Sequence, residues 1–118
     1  MVIAVPEVYV GIGSEYPKNI CDEVKSQRQN RPYKQILFPG YGDWEEAPKV
    51  KRLVEFIQAA GSYVILMGGY THLRDVQAVA FLARRTGIQP VLAHYDSTYR
   101  MVRIYTLEEC KEDPSQWR

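Results

Sequence analysis

The chain has 118 residues, enough for one ordinary domain whose core needs no disulfide or metal. Apolar residues make up 46% and charged residues 25%, which excludes a disordered tail, a collagen-like rod and a coiled coil. The 15 Lys and Arg against 14 Asp and Glu leave a net charge of +1, without the basic excess of a protein that lives on nucleic acid or an anionic membrane.

Apolar runs and helical patterns alternate along the chain. Val8-Tyr9-Val10-Gly11-Ile12, after Pro6, predicts the first strand. Pro17 to about Gln29 predicts a helix with Ile20 and Val24 as its stripe, and the polar stretch from Lys25 to Lys34 ends it and forms a loop. Gln35-Ile36-Leu37-Phe38 predicts the second strand. From Ala47 to Ala60, the spacing of Val50, Leu53, Val54 and Ile57 predicts a second helix, stopped at Gly61. Pro48 is tolerated in its first turn, and Glu45 and Glu46 stand where the helix dipole favours negative charge.

Tyr63-Val64-Ile65-Leu66-Met67 is continuously apolar, as a strand covered on both faces should be. Thr71 to Thr86 predicts a third helix, with Thr71 as N-cap, Gly87 as the C′ residue and Arg84 and Arg85 in the last turn. Its stretch from Ala78 to Ala83 is apolar nearly all round, which marks the most buried helix. Val91-Leu92-Ala93-His94-Tyr95 predicts a fourth strand. The alternation from Tyr99 to Thr106 predicts a half-exposed edge strand, close enough in sequence to return antiparallel as a hairpin. Thr106-Leu107-Glu108-Glu109 is the pattern of a capping box. The expected architecture is a Rossmann-like, three-layer α/β sandwich over residues 1–118, with a mostly parallel sheet of about five strands and an antiparallel edge.

Cys21 and Cys110 form no CxxC or Cys/His spacing, and a secreted domain of this size is usually rich in cysteine, so the cytoplasm is the expected setting. The first residues lack the basic leader and long apolar stretch of a signal peptide. No run approaches the roughly 18 apolar residues of a membrane span.

In open α/β sheets ligands bind beyond the carboxyl ends of the strands, near the point where strand order reverses. Six of the eight glycines fall in the first three of these strand-end loops. Gly68-Gly69-Tyr70-Thr71-His72 follows the most buried strand and opens the best-capped helix, which points to anion or nucleotide contact at its backbone. The same residues serve equally as a turn and a cap. His72 is placed to carry a proton or to stand exposed in the first turn. Arg74 and Asp75 are expected as surface partners there, with Arg74 able to reach an anion.

Gly11-Ile12-Gly13 resembles the start of a dinucleotide fingerprint without its third glycine, and Ser14 can face a ligand or be ordinary loop polarity. Gly40, Tyr41, Gly42, Asp43 and Trp44 combine flexible backbone, two rings that can stack on a base, and a carboxylate. Asp43 as N-cap and Trp44 as a hydrophobic staple account for them as well. His94 and Asp96 flank Tyr95 and make either an acid–base pair or a packing residue beside turn chemistry. No P-loop, GxSxG or HExxH is present, and two histidines among scattered acids do not make a metal site.

From Gln35 to Thr98 the chain resembles the YdcF/SanA-like family of small α/β proteins. The resembling pieces are Ile36-Leu37-Phe38-Pro39-Gly40-Tyr41-Gly42, Arg52-Leu53, Val64-Ile65-Leu66-Met67-Gly68-Gly69, Arg85-Thr86-Gly87-Ile88 and the strand leading to Asp96-Ser97-Thr98. The resemblance implies a Rossmann-like domain and a nucleotide-type ligand such as S-adenosylmethionine. The family's Ser-Glu-Ala motif after the double glycine is replaced here by Asp75-Val76-Gln77-Ala78, and a strand-helix unit is added in front. Val10-Gly11-Ile12-Gly13-Ser14 with Gly68-Gly69 is also similar to the nucleotide-binding Rossmannoids of the lysine-decarboxylase-like group.

These readings converge on a protein that binds a nucleotide or nucleotide-derived ligand at the strand ends. Gly11, Gly13, Ser14, Gly40, Gly42, Gly68, Gly69, Thr71 and Arg74 are its expected backbone and anion contacts, and Tyr41 and Trp44 its ring contacts. As a hydrolase or transferase it would use Asp43 or Asp96 as base and His72 as acid. The alternative is a non-enzymatic interaction protein that forms a homodimer through its edge strand and its tyrosines. So short a chain leaves little for a lid, so a site on the sheet would be open unless a second subunit covers it.

Overall fold

The computed structural model describes residues 6–13, 17–38, 44–60, 63–68 and 72–112. In chain order its elements are β1 (Glu7–Ile12), α1 (Lys18–Gln27), β2 (Tyr33–Phe38), α2 (Pro48–Ala60), β3 (Val64–Met67), α3 (His72–Thr86), β4 (Val91–Asp96), β5 (Met101–Tyr105) and α4 (Leu107–Glu112). The strands form one five-stranded sheet in the order β2-β1-β3-β4-β5. β1 runs parallel to both β2 and β3, β3 parallel to β4, and β5 returns antiparallel to β4. The alternating apolar runs and the hairpin edge are therefore realised as the sequence predicts.

The two faces of the sheet carry different layers. Val8, Val10, Ile12, Leu66 and Leu92 turn toward α2 and α3, whose buried residues include Val50, Leu53, Ile57, Val79 and Leu82. Tyr9, Ile65, Met67, Ala93 and Val102 turn to the other face, where α1 contributes Cys21 and Val24. β1 and β3 are buried along their whole lengths because they lie between neighbours and under helices on both sides. The outer strand β2 is half-exposed, and Leu37 remains 39% exposed on it.

Local chemistry explains the element ends. α1 stops at Gln27, about two residues before the predicted end, because Gln29 and Asn30 take left-handed φ values of 59° and 53°. β2 starts at Tyr33, two residues before its apolar run, because the Tyr33 ring stacks on Tyr9 of β1 at 4.6 Å. Gly87, at φ 73°, donates its N–H to the Ala83 carbonyl at 3.0 Å and ends α3. The capping box of α4 forms in both directions: Glu109 N–H donates to Thr106 Oγ1 at 3.2 Å and Thr106 N–H to Glu109 Oε1 at 3.1 Å.

The edge at β5 is covered where an incoming strand would pair. Val102 N–H donates to Glu23 Oε2 at 2.9 Å, and Gln27 Nε2 donates to the Val102 carbonyl at 2.6 Å. Glu23 and Gln27 are one turn apart on α1, so one helix face occupies both groups of that strand residue.

Candidate functional site

The strand order turns around between β1 and β3: the chain leaves β1 for β2 on one side and later returns to β3 on the other. In open α/β sheets this is where a crevice forms at the carboxyl ends. Two described glycines stand there. Gly13, just past β1, is buried and has φ 127°, a backbone conformation that L side chains rarely adopt. Gly68, just past β3, donates its N–H to the Ala93 carbonyl at 3.3 Å. A Cβ on Gly68 would lie 1.9 Å from Asp75 Oδ2. The glycine is there because a carboxylate packs against its Cα.

That carboxylate corrects the sequence reading. Asp75 is not a surface partner of Arg74 but is completely buried, at 0% exposure. Neither of its oxygens accepts a hydrogen bond. Burial alone pushes its carboxyl from the ordinary 3.8 up to about 7. The group facing it is His94 on β4, whose Nε2 lies 3.6 Å from Asp75 Oδ2. The sequence did contain a signal: Asp75 precedes Ala78, Val79 and Leu82 by three, four and seven positions, so it shares the buried face of α3. A first-turn acid is ordinarily a solvated dipole partner, and that default hid it.

His94 therefore turns to Asp75, while Asp96 is engaged elsewhere. Asp96 Oδ1 accepts from Thr98 N–H at 2.9 Å and Tyr99 N–H at 3.3 Å, and Oδ2 accepts from the Tyr105 hydroxyl at 2.7 Å. These bonds, the Tyr105 hydroxyl first, hold the Asp96 carboxyl below the usual range, and Arg103 Nη1 stands 3.8 Å away. Asp96 ties the β4–β5 hairpin together, and a carboxylate stabilised in its charged form is a poor base.

Trp44 is half-buried and packs edge-on against Phe38 of β2 at 4.8 Å and Phe81 of α3 at 5.6 Å, contacts with other elements and not a staple on α2. Glu45, just ahead of α2, is ion-paired with Arg85 at 2.7 Å. Gly11 lies within β1, paired with Leu37 and Met67. Ser14, Gly40, Tyr41, Gly42, Asp43, Gly69 and Thr71 lie outside the described residues, as do the side chains of His72 and Arg74. An apolar hollow of about 270 Å³ opens at the opposite, amino-terminal end of the sheet, between Pro6, Val8, Lys34 and Phe56. It holds no acid–base pair.

A Gly68→Ala substitution is expected to cost about 2 kcal/mol, because the new methyl must displace the buried Asp75 carboxyl group. In an Asp75→Ala background the same substitution is expected to cost less than half as much. Urea unfolding of the four proteins of this cycle measures the coupling. Equal costs in both backgrounds would show that the two residues do not touch.

The fold and the switch-point glycines define a Rossmann-like α/β sandwich. The chain matches no protein-family model, no curated protein and no solved structure.

Proposed function

We propose that the protein binds a nucleotide or a nucleotide-derived ligand, S-adenosylmethionine among the candidates, at the carboxyl ends of β1, β3 and β4, and acts there as a hydrolase or transferase in the cytoplasm. The observation that carries this reading is that Gly68 packs on buried Asp75, which faces half-buried His94, next to the topological switch point where Gly13 also ends β1. Tight backbone turns permit close approach of a phosphate, and ionisable groups stand where a ligand would lie. Among the described residues no group of three or more His, Cys, Asp or Glu is placed to hold a metal ion, and no helix is long and apolar enough to cross a membrane.

Thermal unfolding in the presence of nucleotides, dinucleotides and S-adenosylmethionine tests the reading. A ligand at ten times its Kd is expected to raise Tm by about 5 °C. A second reading, a non-enzymatic homodimer, is favoured by Tyr95, Tyr99 and Met101, which stand 50%, 61% and 43% exposed around the β4–β5 hairpin. Glu23 and Gln27 on Val102 oppose a continuous strand-to-strand version of it. Silence across the ligand panel, together with a dimeric mass in light scattering, would replace the first reading by the second.

A further inference from the structure

The described interior buries two acids, and they differ in how they are satisfied. Glu7 accepts from the Tyr9 hydroxyl and from Arg28. Asp75 accepts from nothing, although water does not reach it. A carboxyl in that position persists by keeping its proton or by facing a cation. Just past β3 the Gly68 backbone packs against it, and among the described residues the titratable group that faces it is His94 of β4.

The contacts of His94 show where protons sit. Its Nδ1 lies 3.1 Å from the Tyr95 carbonyl oxygen, which can only accept, so Nδ1 carries a hydrogen. In the neutral ring Nε2 is then bare, and Nε2 is the atom turned to Asp75. Once the 3.6 Å gap closes to hydrogen-bond distance, one proton can sit on either atom. On Asp75 it makes a carboxylic acid facing imidazole, and on Nε2 it makes a carboxylate facing imidazolium. Both forms are neutral overall, so a buried pair can exchange one for the other without net charge. The proton is there to share near neutral pH, because burial pushes the Asp75 carboxyl up to about 7.

Only one member can be reached from outside. The His94 side chain is 23% exposed at the end of β4, whereas Asp75 is closed off beneath Gly68. We propose that Asp75 and His94 form the proton-carrying pair of this site, in which His94 meets the anionic oxygen of a bound phosphate monoester and Asp75 is the positioning residue behind it. The inference rests on the reading of the strand ends as a nucleotide site and assigns the groups that work there. An arriving anion draws the Asp75 proton onto Nε2, and the ring becomes a cation whose charge attracts the anion at its exposed edge, while Nε2–H faces Asp75, Nδ1–H faces the Tyr95 carbonyl and the counter-charge stays on Asp75.

Heteronuclear NMR of the full chain tests this, with adenosine monophosphate, inorganic phosphate and adenosine as probes. The chain has two histidines, so a His72→Gln variant assigns the rings. In the free protein the ring nitrogens of His94 are expected to show the Nδ1–H tautomer, with Asp75→Asn shifting the Nε2 resonance. Adenosine monophosphate is expected to move the Asp75 carboxyl carbon toward its carboxylate position and Nε2 toward its protonated position. Inorganic phosphate should do the same more weakly, and adenosine should not. A merely structural pair would not change protonation on ligand binding. An Nε2–H tautomer in the free protein overturns the pair. Binding of adenosine monophosphate that leaves both resonances in place overturns its role toward the ligand. Absence of binding by every probe tells against the nucleotide reading and the ligand role together, while the tautomer still decides whether the pair exists.

Discussion

Replacing Asp75 by asparagine is expected to raise the stability of the folded protein by about 3 kcal/mol at pH 8 and to leave it nearly unchanged at pH 4. The sign follows from the direction of the carboxyl's displacement. Its pKa in the folded protein is about 7 against an ordinary 3.8. Below pH 3.8 the group is protonated whether the chain is folded or not, and its burial costs nothing in charge. Between 3.8 and about 7 the unfolded chain gives up a proton that the folded protein retains, so stability falls as pH rises. Above about 7 the full cost stands, with a ceiling of about 4 kcal/mol for that interval. Asparagine removes the ionisation but still buries an amide, which keeps the expected gain below the ceiling.

Urea unfolding of wild type and Asp75→Asn at both pH values gives the difference. Asp96 works in the opposite direction: its carboxyl is held low in the folded state, so it stabilises above the ordinary carboxylate range and loses that contribution as acid is added. It is common to both proteins and cancels. Tyr9 and Tyr105, both raised to about 12, change nothing in this window, because their effect begins only where an ordinary tyrosine ionises. Parallel stability profiles for the two proteins would mean that Asp75 is ionised at no cost, and with that the case for a strained functional carboxyl would fall. A residue that weakens the fold in which it is buried is what a stability–function trade-off produces.

Asp75 also shows where reading the sequence runs out. Strands and helices were legible wherever the signal is local. The apolar run from Val64 to Met67, the stripe of Val50, Leu53, Val54 and Ile57, Gly87 after α3 and the Thr106–Glu109 box each depend on residues within a turn or two of each other. Strand order is not local. It depends on which backbones pair, so the switch point between β1 and β3 became visible only once Val10 was opposite both Ile36 and Leu66. The same holds for the side chains that matter most. His94 was legible as a residue near the strand ends, but its partner is Asp75 rather than Asp96. That choice is made by the approach of α3 to β4 through the gap that Gly68 leaves. The cover on the β5 edge, from Glu23 and Gln27, likewise joins residues from opposite ends of the chain.

The other large effect lies at the far end of the sheet. Arg28→Met is expected to destabilise the protein by about 3 kcal/mol and to lower Tm by about 12 °C. Arg28 stands just past α1, where its N–H donates to the Val24 carbonyl at 2.9 Å, and methionine preserves that bond. What is lost is the guanidinium. Its Nε donates to Glu7 Oε1 at 3.1 Å, its Nη2 pairs with Oε2, and it lies 4.5 Å over the Tyr63 ring. Glu7 is 5% exposed on β1, and the Tyr9 hydroxyl at 3.2 Å is too little to hold its charge. Without Arg28 a carboxylate stays in the interior uncompensated, and that residue, more than any missing contact, sets the size of the effect. Glu7→Gln alone keeps an acceptor for both donors and is expected to cost about 1 kcal/mol. Combined with Arg28→Met it removes the orphaned charge, so the double variant is expected to be more stable than Arg28→Met alone. Thermal and urea unfolding of the three variants measure the coupling. Strict additivity would mean that Arg28 acts through Tyr63 and the end of α1, with Glu7 indifferent to its charge.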